Sequence, residues 1–291
     1  MTVGSAKFSV TSGRLLSLGQ LKITNGAKLD IWRAKTDNDR AFDATPGPHN
    51  GAGWEEAGLD RVHHRVDKVS IDGDLFVVRT FVAPAVTGRG FVTTYRWTAR
   101  KDGSVKLDVQ VNPSGDWSDI SLPRLGIRLG LPKQLERVKY FGLGPGEACP
   151  DTRQAARIGL WDHTIDGMQT PYVYPQENGS RADVQWAEIT GQSGDGLRIE
   201  GSPTFAITAR RWTSEELHKT THTTDLKAGN HVWVNIDQAL GEIGTASSWT
   251  WRIGEVSTAC EGDGVLHSTE ANEVSFSMRL KVQSHLSDCM T

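Results

Sequence analysis

The chain has 291 residues, 37% of them hydrophobic and 23% charged, with 32 basic against 35 acidic side chains and a formal net charge of −3. That composition suits a globular protein able to bury a sizeable core, and excludes a disordered or collagen-like chain. No basic run tracks a phosphate backbone, and no stretch nears the roughly 18 apolar residues of a membrane span, so neither nucleic acid nor a membrane is an expected partner.

The opening Met1-Thr-Val-Gly-Ser-Ala-Lys-Phe8 has no apolar run behind a basic flank, so no secretory leader is expected. Cys149, Cys260 and Cys289 are three in number at unrelated spacings, which argues against a disulfide framework and a zinc site. Together these point to a reducing, cytoplasmic setting.

Period-two alternation then runs along most of the chain. It predicts strands at 75–82, 91–98, 106–111, 125–131, 204–208, 232–236 and 274–282. In Lys106-Leu-Asp-Val-Gln-Val111, for example, Leu107, Val109 and Val111 share one face. Turn signals separate the runs at Asp72-Gly-Asp74, Lys101-Asp-Gly103, Asn112-Pro-Ser-Gly115 and Ala228-Gly-Asn230. Thr45-Pro-Gly-Pro-His-Asn-Gly-Ala-Gly53 reads as a surface loop, and His63-His64 as surface.

Helix signals are sparse. Thr213-Ser-Glu-Glu216 has the form of a capping box and predicts one short helix. Many strands with one or two short helices and no strand–helix alternation define an all-β fold, a large antiparallel sandwich of two curved layers. With no internal repeat or linker, residues 1–291 are expected to form a single domain.

Two segments carry the polar chemistry. Leu143-Gly-Pro-Gly-Glu-Ala-Cys-Pro-Asp-Thr-Arg153 and Thr170-Pro-Tyr-Val-Tyr-Pro-Gln-Glu-Asn-Gly179 combine acids, glycines and prolines in stiff turns. Glu147 and Glu177 could converge as the paired carboxyls of a glycosidase, about 5–5.5 Å apart in a retaining enzyme. The competing reading is structural: carboxylates accepting loop amides and pairing with Arg33 or Arg153. Asp37-Asn-Asp39 and the His218/His222 pair could ligate a metal, but neither belongs to a defined ligand set, so turn formation and a polar network are favoured. No cofactor fingerprint is present; Gly142-Leu-Gly-Pro-Gly146 lacks the lysine and helix pattern of a phosphate loop. Ten tryptophans, among them Trp54, Trp117, Trp161, Trp186, Trp249 and Trp251, are enough both to fill a core and to line a small-molecule site.

Taken in order, Ser12-Gly13 with Leu15, Trp32-Arg-Ala34 with Thr36-Asp-Asn-Asp39, Leu122-Pro-Arg-Leu-Gly126, Phe141-Gly-Leu-Gly-Pro145, Pro175-Gln-Glu-Asn-Gly179, Thr221-His222, Trp233-Val-Asn-Ile-Asp237 and Ser248-Trp249 resemble the small chain, or C-terminal domain, of glycoside hydrolase family 2 β-galactosidases. The resemblance covers nearly the whole chain. It implies a supersandwich of the galactose mutarotase-like type. It also implies that the reacting acids lie on a separate barrel-bearing large chain, with Trp249 reaching toward the sugar there.

The approach to that tryptophan, Gly241-Glu-Ile-Gly-Thr-Ala-Ser-Ser248, departs from the family pattern, with Ala246 and Ser247 where acids are usual. The expected function is therefore a carbohydrate-associated domain that completes a β-galactosidase, its partner a large chain or a second copy of itself. A freestanding cofactor-independent epimerase or cyclase, and a carbohydrate-binding module, are the alternatives. In the freestanding reading Glu177, Glu147 and His222 are the candidate catalytic groups. Trp249, Trp251, Arg33, Asp39 and Asn178 are the candidate contacts to a carbohydrate or other small-molecule ligand.

Overall fold

The computed structural model describes residues 1–40, 51–85, 88–117, 120, 122–149, 152–240 and 273–283. A small N-terminal sheet is built from β1 (Thr2–Val3), β2 (Ala6–Phe8), β3 (Leu15–Leu18) and β4 (Leu21–Lys22), paired in that order. The turn between β2 and β3 contains Gly13 at φ +65°, where an added Cβ would sit 2.5 Å from a Val78 methyl; only glycine fits. The opening hairpin implied by the resemblance is present.

The main sheet has twelve strands. These are β5 (Asn25–Asp30), β6 (Val62–Asp72), β7 (Leu75–Pro84), β8 (Gly90–Ala99), β9 (Val105–Ser114), β10 (Arg124–Pro132), β11 (Arg137–Gly144), β12 (Arg157–Thr164), β13 (Arg181–Thr190), β14 (Gly196–Arg210), β15 (His231–Leu240) and β16 (Val274–Gln283). It forks at the 15-residue β14. The first half of β14, up to Gly201, pairs with β16 and leads through β9, β8 and β7 to the free edge β6. From Ala206 onward β14 pairs with β15, which leads through β10 to the free edge β5. Apolar faces of both branches join one core, and the Leu29 amide of β5 donates to the Tyr95 hydroxyl of β8 at 2.8 Å. This is the two-layered antiparallel architecture expected from the alternation.

All seven predicted strands lie within observed ones. In β9 and β16 the buried residues are the alternating apolar ones, Leu107, Val109 and Val111, and Phe276, Met278 and Leu280. Three short α-helices occur among the described residues rather than one or two: α1 (Asp37–Arg40), α2 (Gly51–Glu56) and α3 (Ser214–Lys219). The capping box is formed, with Thr213 Oγ1 accepting from the Glu216 amide at 3.1 Å and Glu216 accepting from the Thr213 amide at 2.8 Å. The expected 45–53 loop is corrected at its end: residues 45–50 lie outside the described set, while Gly51–Gly53 open α2, whose Trp54 is fully buried. His64 is also corrected. Its Nδ1 is enclosed, because the first half of β6 alternates toward the interior.

Candidate functional site

The period-two register assigns a polar set to one face of the β14–β15–β10–β5 branch. Val234 and Ile236 of β15 and Leu125, Ile127 and Leu129 of β10 turn into the core. Asn235, Asp237, Arg124 and Arg128 must then point the other way, joined by Arg210 from β14 and Asp30 from β5. Close strand approach there requires Gly126, whose added Cβ would lie 2.4 Å from Asp237 Oδ1. Residues 31–36, α3 and the 170–180 loop cover this face, so its charges are buried and must satisfy one another.

Glu177 sits at the centre with its side chain fully enclosed. Its Oε1 accepts from Arg124 Nη2 at 3.0 Å and from Arg210 Nη2; its Oε2 accepts from the Ala34 amide at 3.2 Å and from Arg210 Nη1 at 3.3 Å. Burial works against the carboxylate, yet Arg210 and Arg124 hold its pKa at about 2. Arg124 also donates to the Trp32 carbonyl and the Ser214 hydroxyl, each at 3.1 Å, and its Nε lies 3.2 Å from Asp237 Oδ1. Neither oxygen of Asp237 has a hydrogen-bond partner, and burial pushes this carboxyl up to about 7 against the pull of Arg124. Arg128 is gripped by both oxygens of Glu215, at 2.6 and 2.7 Å. Asp30 accepts from Asn235 Nδ2 at 2.6 Å.

The same cluster fixes the loops above it. Arg33 donates twice to Asp39, at 2.5 and 3.2 Å, and Asp39 also accepts from the Thr36 amide at 2.7 Å. The Asp37 amide donates to Gln176 at 2.8 Å, and Arg40 donates to the Pro175 carbonyl at 3.0 Å while lying 4.0 Å over the Tyr174 ring. Asn178 is a loop staple, accepting from the Thr170 amide at 3.1 Å and donating to the Gln176 carbonyl at 2.8 Å. Glu147 accepts from the Gly179 amide at 2.7 Å and the Tyr172 hydroxyl at 2.8 Å. Burial and this carboxylate raise the Tyr172 pKa.

The structure thus brings together Glu147, Glu177, Asn178, Arg33 and Asp39 through one continuous set of loop contacts. His222 stands apart from them, 74% exposed, beside Thr221 Oγ1 at 3.1 Å and Asp225 at 3.6 Å. Trp249 and Trp251 lie outside the described residues. His218 bonds Glu55 at 2.8 Å, and no group of three metal-ligating side chains occurs among the described residues. Arg124, Arg210 and Asp237 were missed as site residues. A signal existed in Trp233-Val-Asn-Ile-Asp237, where alternation sets Asn235 and Asp237 on one face of a strand apolar on the other.

What the 170–180 loop leaves exposed is apolar or aromatic. Val173 is 90% accessible, and Tyr172 and Tyr174 flank it at 36% and 40%. The Thr223 hydroxyl holds this ridge from below, donating to the Tyr172 carbonyl at 2.7 Å.

The fold is galactose mutarotase-like. A galactose mutarotase related enzyme from Lactobacillus acidophilus superposes with a TM-score of 0.50 at 8% identity, over 98% of this chain and 96% of that one. More specifically, the family model of the β-galactosidase small chain matches residues 3–257, and the chain belongs to that family. It is 30% identical over 263 residues to a β-galactosidase of Arthrobacter sp. strain B7, covering 84% of this chain and 25% of that protein. A β-galactosidase of Aeromonas hydrophila is 31% identical over 257 residues, covering 83% and 24% respectively. The chain spans about a quarter of the length of these curated relatives.

Proposed function

We propose that this chain acts as one domain, completing a β-galactoside-hydrolysing assembly whose reacting carboxylates belong to a barrel-bearing large chain. The observation that carries this reading is the occupancy of its own acids. Both oxygens of Glu177 are held by arginines and an amide in a site closed to solvent, and Glu147 is held by Gly179 and Tyr172. A nucleophile or general acid needs a free lone pair or a proton facing substrate. Glu177 has neither, so its role is to fix the geometry of the 31–40 and 170–180 loops.

The exposed Tyr172–Tyr174 ridge is then the natural contact for the large chain. Aromatic side chains on a preorganised loop bury much area at little cost in conformational entropy. Trp249 supplies an indole face to sugar in the assembled site, as the family resemblance implies.

The test is co-expression with a family 2 β-galactosidase large chain truncated before its own C-terminal domain, with hydrolysis of a nitrophenyl β-galactoside as readout. Activity should be absent from either chain alone and present in the co-purified pair. Hydrolysis or sugar isomerisation by this chain alone would overturn the reading, as would a stable pair with no activity above the truncated large chain.

A further inference from the structure

Two of the three edge strands of the forked sheet, β5 and β6, meet at one side of the sandwich. A cavity of about 220 Å3 lies between them, capped by the Ser12–Arg14 turn and walled by Tyr95 and Trp97 of β8. At ~30 Å3 per water that is room for roughly seven waters, the bulk of a small organic acid. The interdigitation of Gly13 against Val78 fixes the cap, so the cavity is a built feature of the fold.

Its charge is one-sided. Lys28 and Arg14 line it, and no acidic side chain does. Lys28 forms no ion pair among the described residues, although burial and the neighbouring Arg128 both push its pKa down. The acids nearest to it, Glu215 and Asp30, are already engaged by Arg128 and Asn235. His64 lines the same space, and its Nδ1 is buried with no hydrogen-bond partner. Ala27, Val66 and Val78 form an apolar wall beside the Trp97 indole, with Ser12, Asn25 and Thr80 as the neutral polar part of the lining.

A half-buried ammonium in no ion pair among the described residues, with Arg14 beside it and an apolar wall opposite, describes half of a recognition site. We propose that this cavity binds a small organic carboxylate, its anionic end on Lys28 and Arg14 and its body along Trp97 and Val78. The site adjoins the Arg128 end of the buried polar face and does not depend on the partnership proposed above.

Calorimetric titration of the full chain with lactate, benzoate and 4-hydroxybenzoate, each against its neutral amide, tests this directly. At least one acid should bind at a single site, its amide should not, and the His64 ring resonances should shift on binding. Lys28→Met should weaken that acid at least tenfold. Val66→Trp, at an already exposed position on β6, should block the mouth and serves as the deciding variant should Lys28→Met fail to fold. The proposal falls if no acid binds with Kd below about 10 mM, if acid and amide bind alike, or if both variants bind as the parent does. Binding of galactose or inorganic phosphate in place of the acids would overturn it equally.

Discussion

Asp237 and His64 titrate across the same pH range with opposite effects on folding, which makes Asp237→Asn an incisive perturbation. Burial, reinforced by Asp30 and Glu177 and opposed by Arg124, raises the Asp237 carboxyl from 3.8 to about 7. The folded state thus keeps a proton that the unfolded chain releases. The contribution is complete below the unfolded pKa and is lost as pH rises toward 7. A shift of about three units at about 1.36 kcal/mol each is roughly 4 kcal/mol. His64 behaves in reverse. Burial first, then Lys28 and Arg128, lower its ring from 6.5 to about 3, so the folded state is neutral where the unfolded chain is protonated. Its contribution is complete above 6.5 and is lost as pH falls; it is of similar size, about 4 kcal/mol, since part of the ring remains accessible.

Between about pH 5 and about pH 6.5 the two slopes oppose, and the parent protein should show nearly flat stability. Glu177 and Glu215, each held at about 2, add their own losses only in stronger acid. Asp237→Asn removes the falling contribution and leaves the rising one. Urea unfolding at fixed ionic strength should then show stability climbing by up to about 1.4 kcal/mol per pH unit across that window. His64→Gln should tilt the curve the other way. An Asp237→Asn curve running parallel to the parent's would refute the assignment of a retained proton to this buried carboxyl.

Other perturbations probe the same framework. Glu177→Gln leaves Arg210 buried without its carboxylate and strips Arg124 of one of its partners, and should cost about 3–5 kcal/mol in denaturant unfolding, whatever it does to any assembled activity. Gly126→Ala drives a Cβ against Asp237 Oδ1 and the Ile236 carbonyl, 2.4 and 2.6 Å away, and should lower stability by about 1–3 kcal/mol. Thr213→Ala breaks the capping box on α3 and should cost about 1 kcal/mol, visible as a modest drop in the denaturation midpoint. Val173→Asp alters a residue 90% exposed, so stability should change by less than about 0.5 kcal/mol while co-purification with a large chain is lost.

The sequence revealed strands where one face is buried and the other is not. The β7–β8–β9–β16 run alternates because its residues face either core or solvent. The strands it did not reveal break that condition for identifiable reasons. On β6 and β12, both edge strands, most positions on both faces stay in contact with water, so neither face had to be apolar. In β11 the alternation ends in Gly142 and Gly144, required because an added Cβ would meet Val184 Cα at 2.8 Å and the Tyr140 hydroxyl at 2.4 Å. On β13, Asp183 adopts φ +53° and breaks the register. The acidic loops were legible as rigid, because proline and glycine spacing is a local property. Which partner each acid would find was not, since Arg124 and Arg210 lie 53 and 33 residues from Glu177 and meet it only once the β14–β15–β10 face forms.

That long-range closure bears on what the loops do. Were Glu177 and Glu147 paired only within their own turns, the 170–180 segment would be ordered by weak local contacts and would lose freedom on docking. Instead Glu177 ties it to two strands, β10 and β14, and to residue 34, and Gln176, Pro175 and Thr170 tie it to α1 and to itself. The entropy of ordering is thus lost during folding, so a surface meeting the Tyr172–Tyr174 ridge finds it already set and association need not oppose that term again. A buried ion network is a poor source of net stability compared with a hydrophobic replacement, but it fixes one arrangement of charges and penalises every other. In a domain whose acids are enclosed and whose exposed loop is aromatic, that specificity is what the network contributes. Its failure in Glu177→Gln should therefore loosen the 170–180 amides in hydrogen exchange before it unfolds the β-sandwich.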